Sequence, residues 1–386
     1  MRRSRRRRNP NALRTDTQRA EDQLNGFGSR EVHEDRQHYV FPASFEAYRW
    51  QTASYTADAV QVFYVKLQGD NGLAGLGAAS VMPKEDATFR PGIDALESVT
   101  QKSFVGRDAL DFDSLMIDLE RRVPGYPRHL VAVEMALLDL AAKADKVSLS
   151  TFLGGRHHES IPVLKMLGMG STEFMADRAA QFVEQGYHFL KIKLGAGPAT
   201  DLERFKAVRE AAGNGVNFTA DFNGAYDATT AIRVIDRLTP DGLTMVEQPV
   251  PADDITGMAL VNKAVTPLVL ADQSVNTPED VAKIADSRAA KAVSIKLLKL
   301  GGIRKSQAVV KACESMGLAC HVGGTGTTRL VEAAQAHFIS ATPGIIVPSE
   351  IAEFEELDGD LVDGFEVVNG VIRVPDDPGL GVGLAI

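Results

Sequence analysis

At 386 residues, with 44% hydrophobic and 24% charged side chains, 34 Gly and 17 Pro, the chain has the composition of a compact protein with many tight loops, long enough for a barrel together with a smaller domain. Its most apolar helix candidate, His129 to Ala144, is interrupted by Glu134 and Asp139, which excludes a membrane span. The two cysteines, Cys313 and Cys320, make no metal-ligand or disulfide framework and read as buried thiols of a cytoplasmic protein.

The first ten residues hold six arginines, so a net charge of −9 leaves about −15 on the remaining 376 residues. Residues 1–28 read as a disordered basic extension. They lack interleaved aromatics and are followed by Asp16, Glu21 and Asp22, so neither a nucleic-acid nor a membrane partner is expected. From Val60 an alternating run turns at Asp70, Asn71 and Gly72 and resumes, which predicts an antiparallel hairpin. Helical spacing follows over Asp108 to Arg122 and His129 to Ala144, and Leu153 to Gly155 closes the region. Residues 29–155 thus read as a small α+β domain. His157 and His158, just beyond, read as a solvated loop.

Beyond Ile161 short β-rich runs alternate with amphipathic helices. Strands are expected to start near Ile161, Phe189, Asn217, Leu243, Pro267, Ala292, Leu318 and Gly344, at intervals of 24 to 28 residues. That period fits one βα unit and eight strands closed into a barrel over residues 156–345. The alternative, a doubly wound sheet, lacks a Gly-rich dinucleotide fingerprint after any strand.

In such a barrel the chemistry lies at the C-terminal strand ends. Strand two ends in Lys191-Ile-Lys193, strand three in Asp221-Phe-Asn223, strand four in Glu247, strand five in Asp272 and strand six in Lys296. Lys191 and Lys193 share a face by strand alternation, and Lys193 is expected to be a base whose pKa is lowered by its like-charged neighbour. Asp221, Glu247 and Asp272 come from adjacent strands and need a cation between them; all-oxygen ligation suits Mg²⁺, or Mn²⁺. Strands two and six lie opposite each other in an eight-strand ring, so Lys193 and Lys296 would flank a metal-bound carboxylate substrate. Either could take the proton from its α-carbon. His321, near the end of strand seven, could line the pocket, and the GGTG run at Gly323 to Gly326 could cradle an anion.

These residues resemble the enolase superfamily, in particular its muconate-lactonizing-enzyme subgroup, from about residue 55 to the C-terminus. The resemblance is carried by KIK at Lys191 to Lys193, ADFN with Asp221, VEQP with Glu247, ADQS with Asp272 and IKLLKLGGI with Lys296. It implies an α/β architecture, a modified TIM barrel of the (β/α)₇β kind with an N-terminal α+β capping domain. Residues 346–386 would return to that cap near Pro378 to Gly381. It also implies Lys193 and Lys296 as the acid/base pair around Mg²⁺ bound by Asp221, Glu247 and Asp272. Lys191, Asn223, His321 and Glu350 would bind substrate or tune pKa values, and the assembly would be a homo-oligomer. The mandelate-racemase subgroup places an Asp and a His on strands six and seven, whereas strand six here carries Lys296. An Asp-x-Asp motif typical of dipeptide epimerases is replaced by Pro348-Ser349-Glu350. Glu350 with GGT at Gly323 to Thr325 looks more like the cycloisomerases, Glu353 being a competing match. Gln273 and Ala78 stand where the family usually has Glu. The expected activity is a racemase, epimerase or lactonizing cycloisomerase acting on a small carboxylate. A dehydratase on the same site is the alternative, and a non-catalytic barrel the third reading.

Overall fold

The computed structural model describes residues 38–385 except 54–55, 71, 82–84 and 347, so the arginine-rich extension lies outside the described residues. Strands β1 (His38–Gln51), β2 (Thr56–Gln68) and β3 (Ala74–Val81) form an antiparallel sheet in that order. The hairpin predicted around Asp70 is β2–β3, paired from Gln68 and Ala74 to Gln61 and Val81. Helices α1 (Asp86–Ser103), α2 (Phe112–Arg122) and α3 (Pro127–Ala144) follow. Helix α3 begins at a proline, whose fixed φ suits the first turn and whose missing N–H costs nothing there.

Helix α3 lies directly on β3. A Cβ added at Gly75 would stand 2.0 Å from the Ala136 carbonyl, and one at Gly77 would stand 1.9 Å from that of Ala132, so these glycines let sheet and helix backbones touch. The two acids that interrupt α3 are buried and tie it to distant segments. Glu134 accepts the N–H groups of Ile303 at 2.6 Å and Arg304 at 3.2 Å. Asp139 accepts those of Leu76 and Leu380, each at 2.8 Å, and the Lys143 ammonium at 2.6 Å. After the one-turn helix α4 (Leu149–Phe152), the Leu149 N–H donates to Gly379 at 2.7 Å. The C-terminal segment is thereby joined to the end of the first unit.

The barrel wall comprises β5 (Leu164–Leu167), β6 (Phe189–Lys193), β7 (Asn217–Asp221), β8 (Leu243–Glu247), β9 (Leu268–Ala271), β10 (Ala292–Ile295) and β11 (Ala319–Val322), all parallel and in chain order. Helices α5 (Thr172–Glu184), α6 (Pro198–Ala212), α7 (Ala228–Leu238), α8 (Ile255–Ala264) and α9 (Pro278–Asp286) connect successive strands. Several are capped locally: Ser171, Asp227 and Asp254 accept backbone N–H groups, and Thr277 with Asp280 makes a reciprocal capping box. The short α10 (Leu297–Leu300), then α11 (Ile303–Ser315), link β10 to β11, and α12 (Arg329–Ala341) follows β11.

Seven strands would leave two open edges. Ile345 and Ser349 lie between them, Ile345 bridging Cys320 and Ser349 bridging Val163. Contacts there include the Leu164 N–H to Ser349 and the Glu350 N–H to Val322, both at 2.9 Å. The eighth stave is thus reduced to two bridges, and closure removes the unpaired edges. One strand start differs from the sequence expectation. Ile161 belongs to β4 (Ser160–Pro162), which pairs with β14 (Val371–Arg373) in a small outer sheet with β13 (Val367–Val368), and the barrel proper begins at Leu164. Extended backbone runs on both sides of Val163, and it is the strand partner, β14 on one side and β6 on the other, that separates them. Strands β12 (Val362–Asp363) and β15 (Gly383–Leu384) pair near the C-terminus. Cys313 and Cys320 are free and buried, and among the described residues no helix is long and apolar enough to cross a membrane.

Candidate active site

Strand alternation turns Lys191 and Lys193 to the same side of β6, and in register Lys193 pairs with Asp221, which pairs with Glu247. Both lysines reach the first carboxylate: Lys193 Nζ lies 2.6 Å and Lys191 Nζ 3.2 Å from Asp221 Oδ2. Asp221 is fully buried, which alone would raise its pKa, but the two ammonium groups outweigh burial and hold it below the ordinary carboxylate range. Asn223 donates its backbone N–H to Asp221 Oδ1 at 2.9 Å and its side-chain amide to Oδ2 at 3.3 Å. It does so from a left-handed backbone, φ 45°, that turns the chain sharply after β7.

Lys191 does more than neighbour Lys193. Its ammonium lies 2.7 Å from both Glu247 Oε2 and Glu350 Oε1. Burial would lower its pKa, but Glu247, Glu350 and Asp221 together hold it well above the usual lysine range. Lys191, expected from the sequence as the like-charged neighbour of Lys193, is thus also the partner of three buried carboxylates. Burial raises Glu350, yet Lys191 and His321 bring it well below its ordinary value. His321 is buried, with Nδ1 3.1 Å from the Pro348 carbonyl and Nε2 3.3 Å from Glu350 Oε1.

On the other side of the mouth, Lys296 Nζ lies 2.8 Å from Asp272 Oδ2 and 3.9 Å from Glu247 Oε1. Burial opposes its charge, but Asp272 and Glu247 more than compensate and raise its pKa. Asp272 itself is pushed up by burial and pulled further down by Lys296 and Lys299, ending below the ordinary range. Strands β7, β8 and β9 separate Lys193 from Lys296, and those are the strands that carry the three acids.

Glu247 stands apart. Its Oε1 is buried and accepts no hydrogen bond among the described residues. Burial pushes its carboxyl up to about 7, Lys191 opposing and Asp221 and Asp272 adding to the rise. A buried carboxylate oxygen without a hydrogen-bond donor, with only the Lys296 ammonium at 3.9 Å, has room for a further cationic partner. Among the described residues the group whose ligand atoms all lie within 4.8 Å of one another is Glu247, His321 and Glu350, with the Lys191 ammonium between the two glutamates; Asp221 and Asp272, expected from the sequence as ligands, are not in that group and are held by Lys193 and Lys296 instead.

Two contributors escaped the sequence reading. Lys299, one helical turn after Lys296, reaches the Asp272 carbonyl at 2.6 Å and Oδ1 at 3.4 Å, and burial lowers its pKa. Its signal was the i, i+3 spacing in IKLLK. Gln248, at φ 39°, accepts the Asp272 N–H at 3.0 Å and so aims the third acid. Nothing in a lone Gln announces that role.

The chain matches the family model "Enolase C-terminal domain-like" over residues 174–385 and the "Mandelate racemase / muconate lactonizing enzyme, N-terminal domain" over residues 37–154. It belongs to the enolase superfamily, in the muconate-lactonizing subgroup. Muconate cycloisomerase 1 of Rhodococcus opacus is 31% identical over 347 residues, 87% of this chain and 91% of that one. The substrate-liganded L-Ala-D/L-Glu epimerase of Bacillus subtilis superposes with a TM-score of 0.85 at 28% identity, covering 90% of this chain and 99% of that one. The dipeptide epimerase of Enterococcus faecalis V583, solved with Mg and the dipeptide L-Leu-L-Tyr, shares the fold with a TM-score of 0.84 at 24% identity, over 90% and 99% of the two chains. These superfamily relatives are isomerases, and this chain is an enzyme of that class.

Proposed function

We propose that this enolase-superfamily member is a Mg²⁺-dependent racemase, epimerase or lactonizing cycloisomerase that removes the proton α to a substrate carboxylate, with Lys193 and Lys296 as the acid/base pair. The observation that carries the reading is Glu247 Oε1, a buried carboxylate oxygen that accepts no hydrogen bond among the described residues, on the strand between those of Asp221 and Asp272. Three carboxylates offer hard oxygen donors, which fits Mg²⁺ or Mn²⁺ and disfavours softer ions. Asp221, Glu247 and Asp272 would hold the ion, and when bound it supplies Lewis-acid stabilisation of the charge that develops on the substrate carboxylate.

Lys193 and Lys296 then divide the proton work. Each ends or follows a barrel strand, each touches one of the outer acids, and the strands of all three acids lie between them. One lysine takes the α-proton from its face, and the other returns a proton to the opposite face. In a lactonizing reaction, one lysine handles the proton while the other stays charged beside the carboxylate. Lys191, locked to three carboxylates, is unsuited to either task and balances charge instead. The substrate is a small carboxylate, as with the epimerase and the cycloisomerase to which the chain is similar.

The test is α-proton exchange in D₂O, followed by NMR with Mg²⁺ across N-acyl amino acids, dipeptides, betaines and sugar acids. Metal-dependent exchange lost in Lys193→Ala or Lys296→Ala is the expected result. A product lighter than its substrate by one water would assign a dehydratase instead, and absence of exchange with every compound despite tight Mg²⁺ binding would overturn the racemase and epimerase readings.

A further inference from the structure

The GGTG run after β11 finds a use in the geometry around Gly323. Neither Gly323 nor Gly324 has a left-handed backbone, so conformation alone does not call for glycine at either position. Space does. A Cβ at Gly323 would stand 2.4 Å from Ser294 Oγ and 2.7 Å from Lys296 Cε, and one at Gly324 would stand 2.2 Å from Glu353 Oε1. Gly323 cannot retreat, because its N–H donates at 2.9 Å to Ile295, the residue before Lys296.

We infer that Gly323 is a positioning residue for Lys296: its bare backbone is the wall along which the lysine stem runs to bring the ammonium beside Asp272. The inference rests on the reading of Lys296 as half of the acid/base pair. Gly323 meets the end of a flexible side chain and a hydroxyl, Ser294 Oγ, that has no hydrogen-bond partner among the described residues, so a methyl group there displaces side chains and leaves the barrel ladder alone. The three atoms nearest to it are Ser294 Oγ and two carbons of the Lys296 stem, whereas Lys193 stands on β6, four strands away from β10. The consequence is one-sided: the Lys296 face of the reaction suffers and the Lys193 face does not. A displacement of about 1 Å in a reacting group costs on the order of 10²-fold in rate.

The experiment uses the full chain with Mg²⁺ in a Ser294→Ala background, which removes the hydroxyl contact and leaves Lys296 as the group that a Gly323→Ala methyl meets. Gly324→Ala, aimed at Glu353, and Gly383→Ala, with nothing within 4 Å and an ordinary backbone, serve as comparisons. Lysines are labelled by reductive methylation with ¹³C-formaldehyde and quantified by peptide mass spectrometry, a readout independent of any substrate. Gly323→Ala is expected to change the Lys296-to-Lys193 labelling ratio by about threefold or more, and Gly383→Ala to leave it unchanged. An unchanged ratio in a folded Gly323→Ala protein overturns the inference. If Gly323→Ala melts early, adding Lys296→Ala should restore the lost stability, since the clash is with that stem; no recovery overturns the inference equally. D₂O exchange from each enantiomer of an N-succinyl amino acid and of a dipeptide completes the test. Gly323→Ala should slow exchange of one enantiomer about 10- to 100-fold and the other by less than about threefold. Equal slowing of both contradicts positioning, whereas absence of exchange in the unsubstituted enzyme counts against the proposed reaction and leaves the labelling result to decide the role of Gly323.

Discussion

Glu247 divides its carboxylate, giving Oε2 to the Lys191 ammonium at 2.7 Å while Oε1 remains buried and without a hydrogen-bond donor among the described residues. That division makes a prediction about metal. Glu247→Gln keeps the shape but offers a neutral oxygen, so Mn²⁺ affinity, read by electron paramagnetic resonance, should fall by about tenfold or more, and chelation should abolish activity in the unsubstituted enzyme. Unaltered Mn²⁺ affinity would remove Glu247 from the ligand set.

The same bond makes Lys191 a structural cation. Lys191→Met would leave Asp221, Glu247 and Glu350 buried with less counter-charge, at a cost of about 3–5 kcal/mol in denaturant unfolding at neutral pH. A loss below about 1 kcal/mol would mean that the three acids find other partners.

The two lysines proposed as the acid/base pair should fail differently from Lys191. Lys193→Ala and Lys296→Ala should each lower turnover by about 10²- to 10⁴-fold while the protein still binds Mn²⁺. For a racemase, each should retain slow exchange of the enantiomer handled by the surviving lysine. Full activity in either variant would end the two-lysine mechanism.

Glu134 sets a pH dependence of stability through its contact with α11. Burial, opposed by the N–H groups of Arg304 and Ile303, pushes its carboxyl from 4.5 up to about 7. The folded state then binds more protons than the unfolded state between those values. The contribution of Glu134 is fully present below about 4.5 and is lost as pH rises through about 7. Glu134→Gln cannot titrate, so the stability difference between the two proteins should change across that window and be flat outside it; a difference flat throughout would show that Glu134 has an ordinary pKa.

Asp139 holds β3, α3 and the C-terminal segment together through Leu76, Lys143 and Leu380. Asp139→Ala leaves two buried N–H groups unpaired and Lys143 without its acid, so unfolding should become easier by about 3 kcal/mol or more. Limited proteolysis should then cut first in the C-terminal segment. A change under 1 kcal/mol would show that the segment is held by its apolar residues alone.

Much of the site could be read in the chain because strands project alternate residues to one face and barrels collect strand ends at one mouth. Lys191 with Lys193, and the separate ends Asp221, Glu247, Asp272 and Lys296, follow from periods of 2 and about 26 residues. The strand starts at Phe189, Asn217, Leu243 and Ala292 coincide with the structure for the same reason. A barrel interior tolerates charge only where charges pair, so charged strand ends are conspicuous in sequence.

What tertiary structure alone decided is which charges pair and how the ring closes. Lys191 looked like a like-charge neighbour of Lys193, yet Glu350, 159 residues away, and Glu247 take its charge, a contact that sequence spacing cannot express. Ile345 and Ser349 close the barrel with two bridges too short to carry any strand signal, and Ile161 joins an outer sheet through β14, more than 200 residues away. The placement of Lys296 against Gly323, and of α3 against Gly75 and Gly77, depends on atoms that are absent. Local periodicity encodes which face a side chain takes, while long-range packing sets what it meets there, because the energies of buried charge and close contact depend on distances that only the closed fold defines.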